Sequence, residues 1–131
     1  MTIRRTVIAG LLLVVAGGFA LADVARAQDA GMTPDGQVSV AAVLDGIEQS
    51  PRSQEANMML NTYLIAAIEG AIAMSKRLPT PVLCPEQSSG ELDGAMLVAH
   101  FTRAVPDPRM RDQVAATPLL VGLLTEKFPC R

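Results

Sequence analysis

Hydrophobic and polar positions along this chain fall into stretches of distinct pattern. Residues Val7 to Ala22 are an unbroken run of Leu, Val, Ala and Gly with Ile8 and Phe19 and no charge. Residues 28–37, QDAGMTPDGQ, have no period at all and read as a flexible leader. From Val38 the spacing becomes helical: Val40, Val43, Leu44 and Ile47 form one stripe of a short helix. Ser50-Pro51 reads as an N-cap with proline at the first helical position. The helix it would open ends at Lys76-Arg77, cations that suit a helix C-terminus.

That second helix is apolar on most sides. Met59, Leu60, Tyr63, Leu64 and Ala67 make one face, and Met58, Ile65, Ile68 and Ile72 make much of another. Such a helix is expected to be buried on most sides, as the centre of the domain, or to form a subunit interface as well. Ala66, Gly70 and Ala73 line up as a small-residue ridge where another helix could come close. A membrane span over Met58–Met74 is disfavoured, because the stretch is short and includes Asn61 and Glu69.

Pro79, Pro81 and Pro85 make the segment from Leu78 to Pro85 an extended connector. Ser88-x-x-Glu91 reads as a capping box for a third helix, with Leu92, Ala95, Met96 and Ala99 inward and an end near Val105. Pro106-Asp107-Pro108 cannot continue it, and Arg109, Arg111 and Asp112 follow as a charged turn. Thr117-Pro118 repeats the cap-plus-proline signature within a fourth helical region, where Leu119, Leu120, Leu123, Leu124 and Phe128 face inward. Strand patterns are nearly absent. The expectation is an all-α fold, a small bundle of about four helices over residues 38–131.

Composition changes the picture mainly at the N-terminus. The chain of 131 residues is 50% apolar, 18% charged and 3% aromatic, with a net charge of −2. That balance excludes a mostly disordered chain and gives no footprint for nucleic acid. Much of the apolar excess lies in residues 1–27. Arg4 and Arg5 precede the apolar run, and Ala20-Leu21-Ala22 and Ala25-Arg26-Ala27 are small-x-small cleavage patterns. This is the layout of a secretory signal peptide, with cleavage expected after Ala27 or after Ala22. Arg4-Arg5 also loosely suggests twin-arginine export rather than the general route. The expected address is periplasmic, with no membrane attachment after cleavage.

Candidate chemistry is sparse. Cys84 and Cys130, an even pair in an oxidising compartment, fit a structural disulfide. The bond would close a loop of roughly 45 residues, worth about 4 kcal/mol in the chain-entropy model. A catalytic thiol would need a base, and His100 is the one histidine. A metal pair would lack the C-x-x-C spacing. His100 itself reads as a packed or surface residue. Glu86, Glu91 and Asp93 are explained by capping and the helix dipole. Met58, Met59, Met74, Met96 and Met110 raise thioether copper binding, but their apolar faces favour packing. No enzymatic activity, metal or cofactor is expected.

The order of motifs resembles a known family. A helix reading Asn61-Thr62-Tyr63-Leu64-Ile65-Ala66-Ala67-Ile68-Glu69-Gly70 is followed by Leu83-Cys84-Pro85, Ser89-Gly90-Glu91-Leu92, Pro106-Asp107-Pro108-Arg109 and Phe128-Pro129-Cys130. This is similar to the Rap/Tai family of periplasmic immunity proteins, which protect bacteria against type VI secretion amidase effectors. The resemblance implies a small helical protein, often dimeric, that binds a peptidoglycan amidase and occludes its cleft. It places Cys84 and Cys130 at the family's disulfide positions and Tyr63 at a core helix position. Two departures are visible: the family commonly has an additional Cys pair nearer the N-terminus, and Ala66 stands where it often has Gly. The contact residues stay unassigned, although the charged turns around Glu86–Glu91 and Asp107–Asp112 are candidates. The alternative expectation is a periplasmic holdase or stress protein that exposes its apolar central helix.

Overall fold

The computed structural model describes residues 31–88 and 90–131. The signal peptide expected over 1–27, the first leader residues 28–30 and Ser89 lie outside the described residues. Four α-helices account for most of the rest: α1 Val40–Gln49, α2 Gln54–Ser75, α3 Gly94–Ala104 and α4 Ala116–Lys127. Short 3-10 turns at Pro85–Gln87 and Pro108–Met110 interrupt the connections, and the described residues contain no strand, only three isolated bridges. The fold is the expected all-α bundle with one disulfide.

The helix starts differ from the sequence reading in three places. Ser50 does not open α2. It closes α1, donating its hydroxyl to the Ile47 carbonyl at 3.0 Å, and Ser53 caps α2 by accepting from the Ala56 amide. The intervening residues, with Pro51, are spent reversing the chain into a helical hairpin. Ser88 and Glu91 form no capping box; the cap of α3 is Asp93, whose carboxylate accepts from the Met96 amide at 2.7 Å. Gly90, ahead of the cap, packs against the Phe128 ring, where an added Cβ would sit 3.4 Å from Cε1. Helix α4 starts at Ala116, whose amide bonds to the Val38 carbonyl at 2.9 Å rather than to a side-chain cap. Thr117 and Pro118 therefore lie inside the first turn, where a missing N–H costs no helical hydrogen bond.

The end of the leader also differs. Residues 31–37 are a closed turn rather than a loose strap: the Thr33 amide reaches the Gln37 carbonyl at 2.7 Å, and its hydroxyl accepts from the Gln37 amide. Gly36, at φ 74°, supplies the left-handed residue the turn needs. Ser39 then caps α1 and is fully buried, holding the turn to the body.

The core forms where α1, α3 and α4 meet. Val40 and Val43 enter from α1, Leu97 and Phe101 from α3, and Leu120, Leu123 and Leu124 from α4. The α1 and α4 stripes match the expected ones. In α3 the inner line is Leu97, Phe101 and Val105, with Leu92 and Met96 beside it, whereas Ala95 and Ala99 are exposed. The helix turns its larger side chains to the core and leaves the alanines to solvent.

Cys84 and Cys130 are bonded, across a sequence separation of 46. Around the bond the Cys84 amide donates to the Phe128 carbonyl at 2.8 Å, and the Arg131 amide to Gln87 Oε1. The proline-rich connector and the chain end are thus fastened together beneath α4.

Candidate functional site

Geometry removes most of the groups that could carry chemistry. His100 Nε2 lies 2.9 Å from the Leu119 carbonyl, and its ring meets Phe101 edge-on at 6.0 Å. It ties α3 to α4 as a packed residue. Cys84 and Cys130 are spent on each other. Met59 and Met74 sit about 22 Å apart along one helix, so they cannot share a metal ion. Among the described residues no three His, Cys, Asp or Glu side chains gather closely enough to hold a metal.

The charged turns do not form one surface either. Residues 86–91 precede the N-terminus of α3 and Asp107–Asp112 follow its C-terminus, so α3 separates them by about 16 Å. Asp107 is engaged locally: Arg109 Nη2 lies 2.9 Å from Oδ2, and the Arg109 amide donates to Oδ1. The guanidinium contact, and then the amide, hold the Asp107 carboxyl below its ordinary value.

What stands out is α2. Its inner stripe packs on the core through Leu60, Tyr63, Leu64, Ala67, Ile68 and Ala71, all only partly buried. Tyr63 Oη meets the Thr117 hydroxyl at 3.1 Å, and partial burial raises its pKa above 10.0 against the opposing pull of that bond. Ser75, at the helix end, is the one fully buried residue of α2. Its hydroxyl accepts from the amides of Val82 and Leu83 at 3.0 and 2.9 Å, which turns the connector back along the bundle.

Among the described residues nothing covers the outer side. Met58 is 63% exposed, Met59 65%, Ile65 57% and Met74 63%. Within this chain the helix is therefore not buried on most sides as a central helix would be, which leaves the other expectation, a face that a partner covers. The reading of these methionines as core is overturned, and among them only Met96 packs against it. The physical reason is length. Helix α2 runs about 33 Å, while α1, α3 and α4 run about 15–18 Å each and lie on one side of it. Three short helices can bury a single stripe. The small-residue ridge is equally open, since a Cβ built at Gly70 meets nothing within 4 Å. Beside it, α2 and α4 enclose an apolar groove of about 550 Å³ floored by Gly70, Ala71 and Val121 and rimmed by Met74, Leu78 and Val82.

The helix is long and apolar enough to cross a membrane, with a mean hydropathy of 1.3. Its inner stripe is nevertheless engaged with the core, and Glu69 lies on the outer side. The molecule is a disulfide-stapled helical bundle that presents one apolar helix face outward. No family model, curated protein or solved structure matches the chain.

Proposed function

We propose that this protein is a periplasmic binding protein of the amidase-immunity kind, which docks on a type VI secretion peptidoglycan amidase and blocks its cleft. The observation that supports binding is the uncovered outer face of α2. Large apolar side chains left exposed in number are a mark of interaction sites. Methionines supply adaptable contact area on such faces. The choice of an amidase rests on the Rap/Tai resemblance, in particular the Tyr63 helix, the Cys84-Pro85 connector and the Phe128-Pro129-Cys130 ending. The Cys84–Cys130 bond is in keeping with an oxidising compartment.

The test is to mix the purified protein with peptidoglycan amidase effectors and follow both capture and cell-wall hydrolysis. The expected result is a stable complex with stoichiometric loss of amidase activity. Failure to bind any amidase would sink the proposal. The Met-rich outer face also favours a second reading, a holdase for unfolded envelope proteins. Concentration-dependent suppression of client aggregation at low pH, without amidase binding, would select that reading.

A further inference from the structure

The groove between α2 and α4, with Gly70, Ala71 and Val121 as its floor and Met74, Leu78 and Val82 as its rim, has no charged side chain in its lining. Its polar side chains are already engaged within the fold. Thr117 meets Tyr63, Thr125 donates to the Gly122 carbonyl at 2.8 Å, and Ser75 takes the amides of Val82 and Leu83. A ligand here meets walls that call for no hydrogen bond. The volume, about 550 Å³, is in the range of small-molecule sites.

Charge gathers at one end. Lys76 and Arg77 stand between the lining residues Ser75 and Leu78, and Lys127 follows lining Thr125 by two positions. The ends of α2 and α4 lie together, because the Cys84 amide donates to the Phe128 carbonyl and the Leu83 amide to the Ser75 hydroxyl. All three cations are exposed, and none enters an ion pair among the described residues. The turn that carries two of them is fixed: the Arg77 amide donates to the Met74 carbonyl and the Leu78 amide to the Ser75 carbonyl, both at 3.1 Å. Glu69 and Glu126 adjoin lining residues in sequence but do not line the groove.

We infer that this groove binds a single-tailed anionic amphiphile, an alkyl chain ending in a carboxylate, with its tail between α2 and α4 and its head at Lys76 and Arg77. An alkyl tail suits walls without free hydrogen-bonding groups. An extended peptide would bring backbone N–H and C=O groups that this lining cannot pair. The head is anionic by complementarity to the unpaired cations, and Arg77 offers the planar fork that takes a carboxylate through two bonds. The groove between α1 and α2, of about 420 Å³, has Asp45 in its lining and so disfavours an anion. Burial of the tail supplies affinity, and the cations select the head. The groove lies beside the outer face of α2, on the α4 side. The inference therefore stands apart from the amidase proposal, and its test contains no amidase.

Laurate at neutral pH, kept below the concentration at which it forms micelles, is titrated into the purified protein by calorimetry. One site per chain with micromolar affinity is expected. Decanoate, shorter by two methylenes, should bind about tenfold more weakly. Dodecanol, with the same tail and no charge, should bind several-fold more weakly than laurate, and dodecyltrimethylammonium more weakly still. Lys76→Ala/Arg77→Ala should bring laurate down to the level of dodecanol and leave dodecanol unchanged. Gly70→Leu adds its side chain in open space and favours the helix, so it should block both ligands without disturbing the core. Far-UV circular dichroism checks that each variant folds. Absence of laurate binding overturns the inference, as does equal affinity for all three heads or binding that Gly70→Leu leaves unchanged. Capture on vesicles of anionic phospholipid without a saturable site for monomeric laurate overturns it too, in favour of a lipid surface.

Discussion

Single residues hold this fold in places where the hydrophobic pattern is silent. Ser75 looks like an ordinary helix-end polar residue, yet its buried hydroxyl takes two amides of the returning connector. Ser75→Ala leaves the Leu83 amide buried and unpaired, which costs about 1–3 kcal/mol. Urea unfolding should register this as a lowered midpoint with an unchanged slope. Tyr63 reports on the α2–α4 contact. Its folded pKa lies above its unfolded value of 10.0, so the folded state holds the phenol proton more tightly. The associated stability is complete below pH 10 and is lost as pH rises through the folded value. Ultraviolet titration of the phenol should show the raised value. Thr117→Val should raise it further by removing the hydrogen bond that opposes burial. A titration at the ordinary value would contradict the packing described for Tyr63.

At the scale of elements, the number and order of helices were legible because their periods and proline breaks are strong. The stripes of α1 and α4 were legible to the residue. Boundaries were not, because several Ser, Thr and Asp residues near each start could cap, and tertiary geometry chose among them. Ser53 rather than Ser50 caps α2, past the reversing turn, and Asp93 rather than Ser88 caps α3. Ser53→Ala should therefore cost about 1 kcal/mol, as loss of an N-cap does. Ser50→Ala should cost clearly less, since it loses one partly buried hydrogen bond at the end of α1 and no N-cap. Thermal melts of the two variants compare them directly, and the reverse order would restore Ser50 as the cap. The state of α2 was half legible. Apolar residues around most of its circumference said that it needs partners, but not whether the chain itself provides them. That answer depends on the lengths of α1, α3 and α4, which only the folded arrangement converts into coverage.

At the scale of the molecule, a scaffold without much aromatic bulk relies on its staple. Cys84 and Cys130 close a 46-residue separation and fasten the chain end to the connector. Loss of the bond in Cys84→Ser/Cys130→Ser should lower unfolding free energy by about 4 kcal/mol on the chain-entropy account. Chemical denaturation of the variant beside the unaltered protein measures it. The disulfide pair was readable from sequence, from a chain with two cysteines and an expected export signal. The exposed apolar face was not, because its residues read as core, and the charged turns that looked available lie at opposite ends of α3.

The outer face of α2 as a protein-binding surface is best tested by methionine oxidation mapped by mass spectrometry. Solvent access governs how fast a thioether is oxidised. In dilute solution Met58, Met59 and Met74 should oxidise fast and Met96, packed on the core, slowly. As the protein is concentrated or given a binding partner, Met59 should become protected while exposed Met110, outside α2, stays reactive. Protection of Met58, Met59 and Met74 already in the dilute monomer, or unchanged reactivity with every partner and at every concentration, would contradict the account.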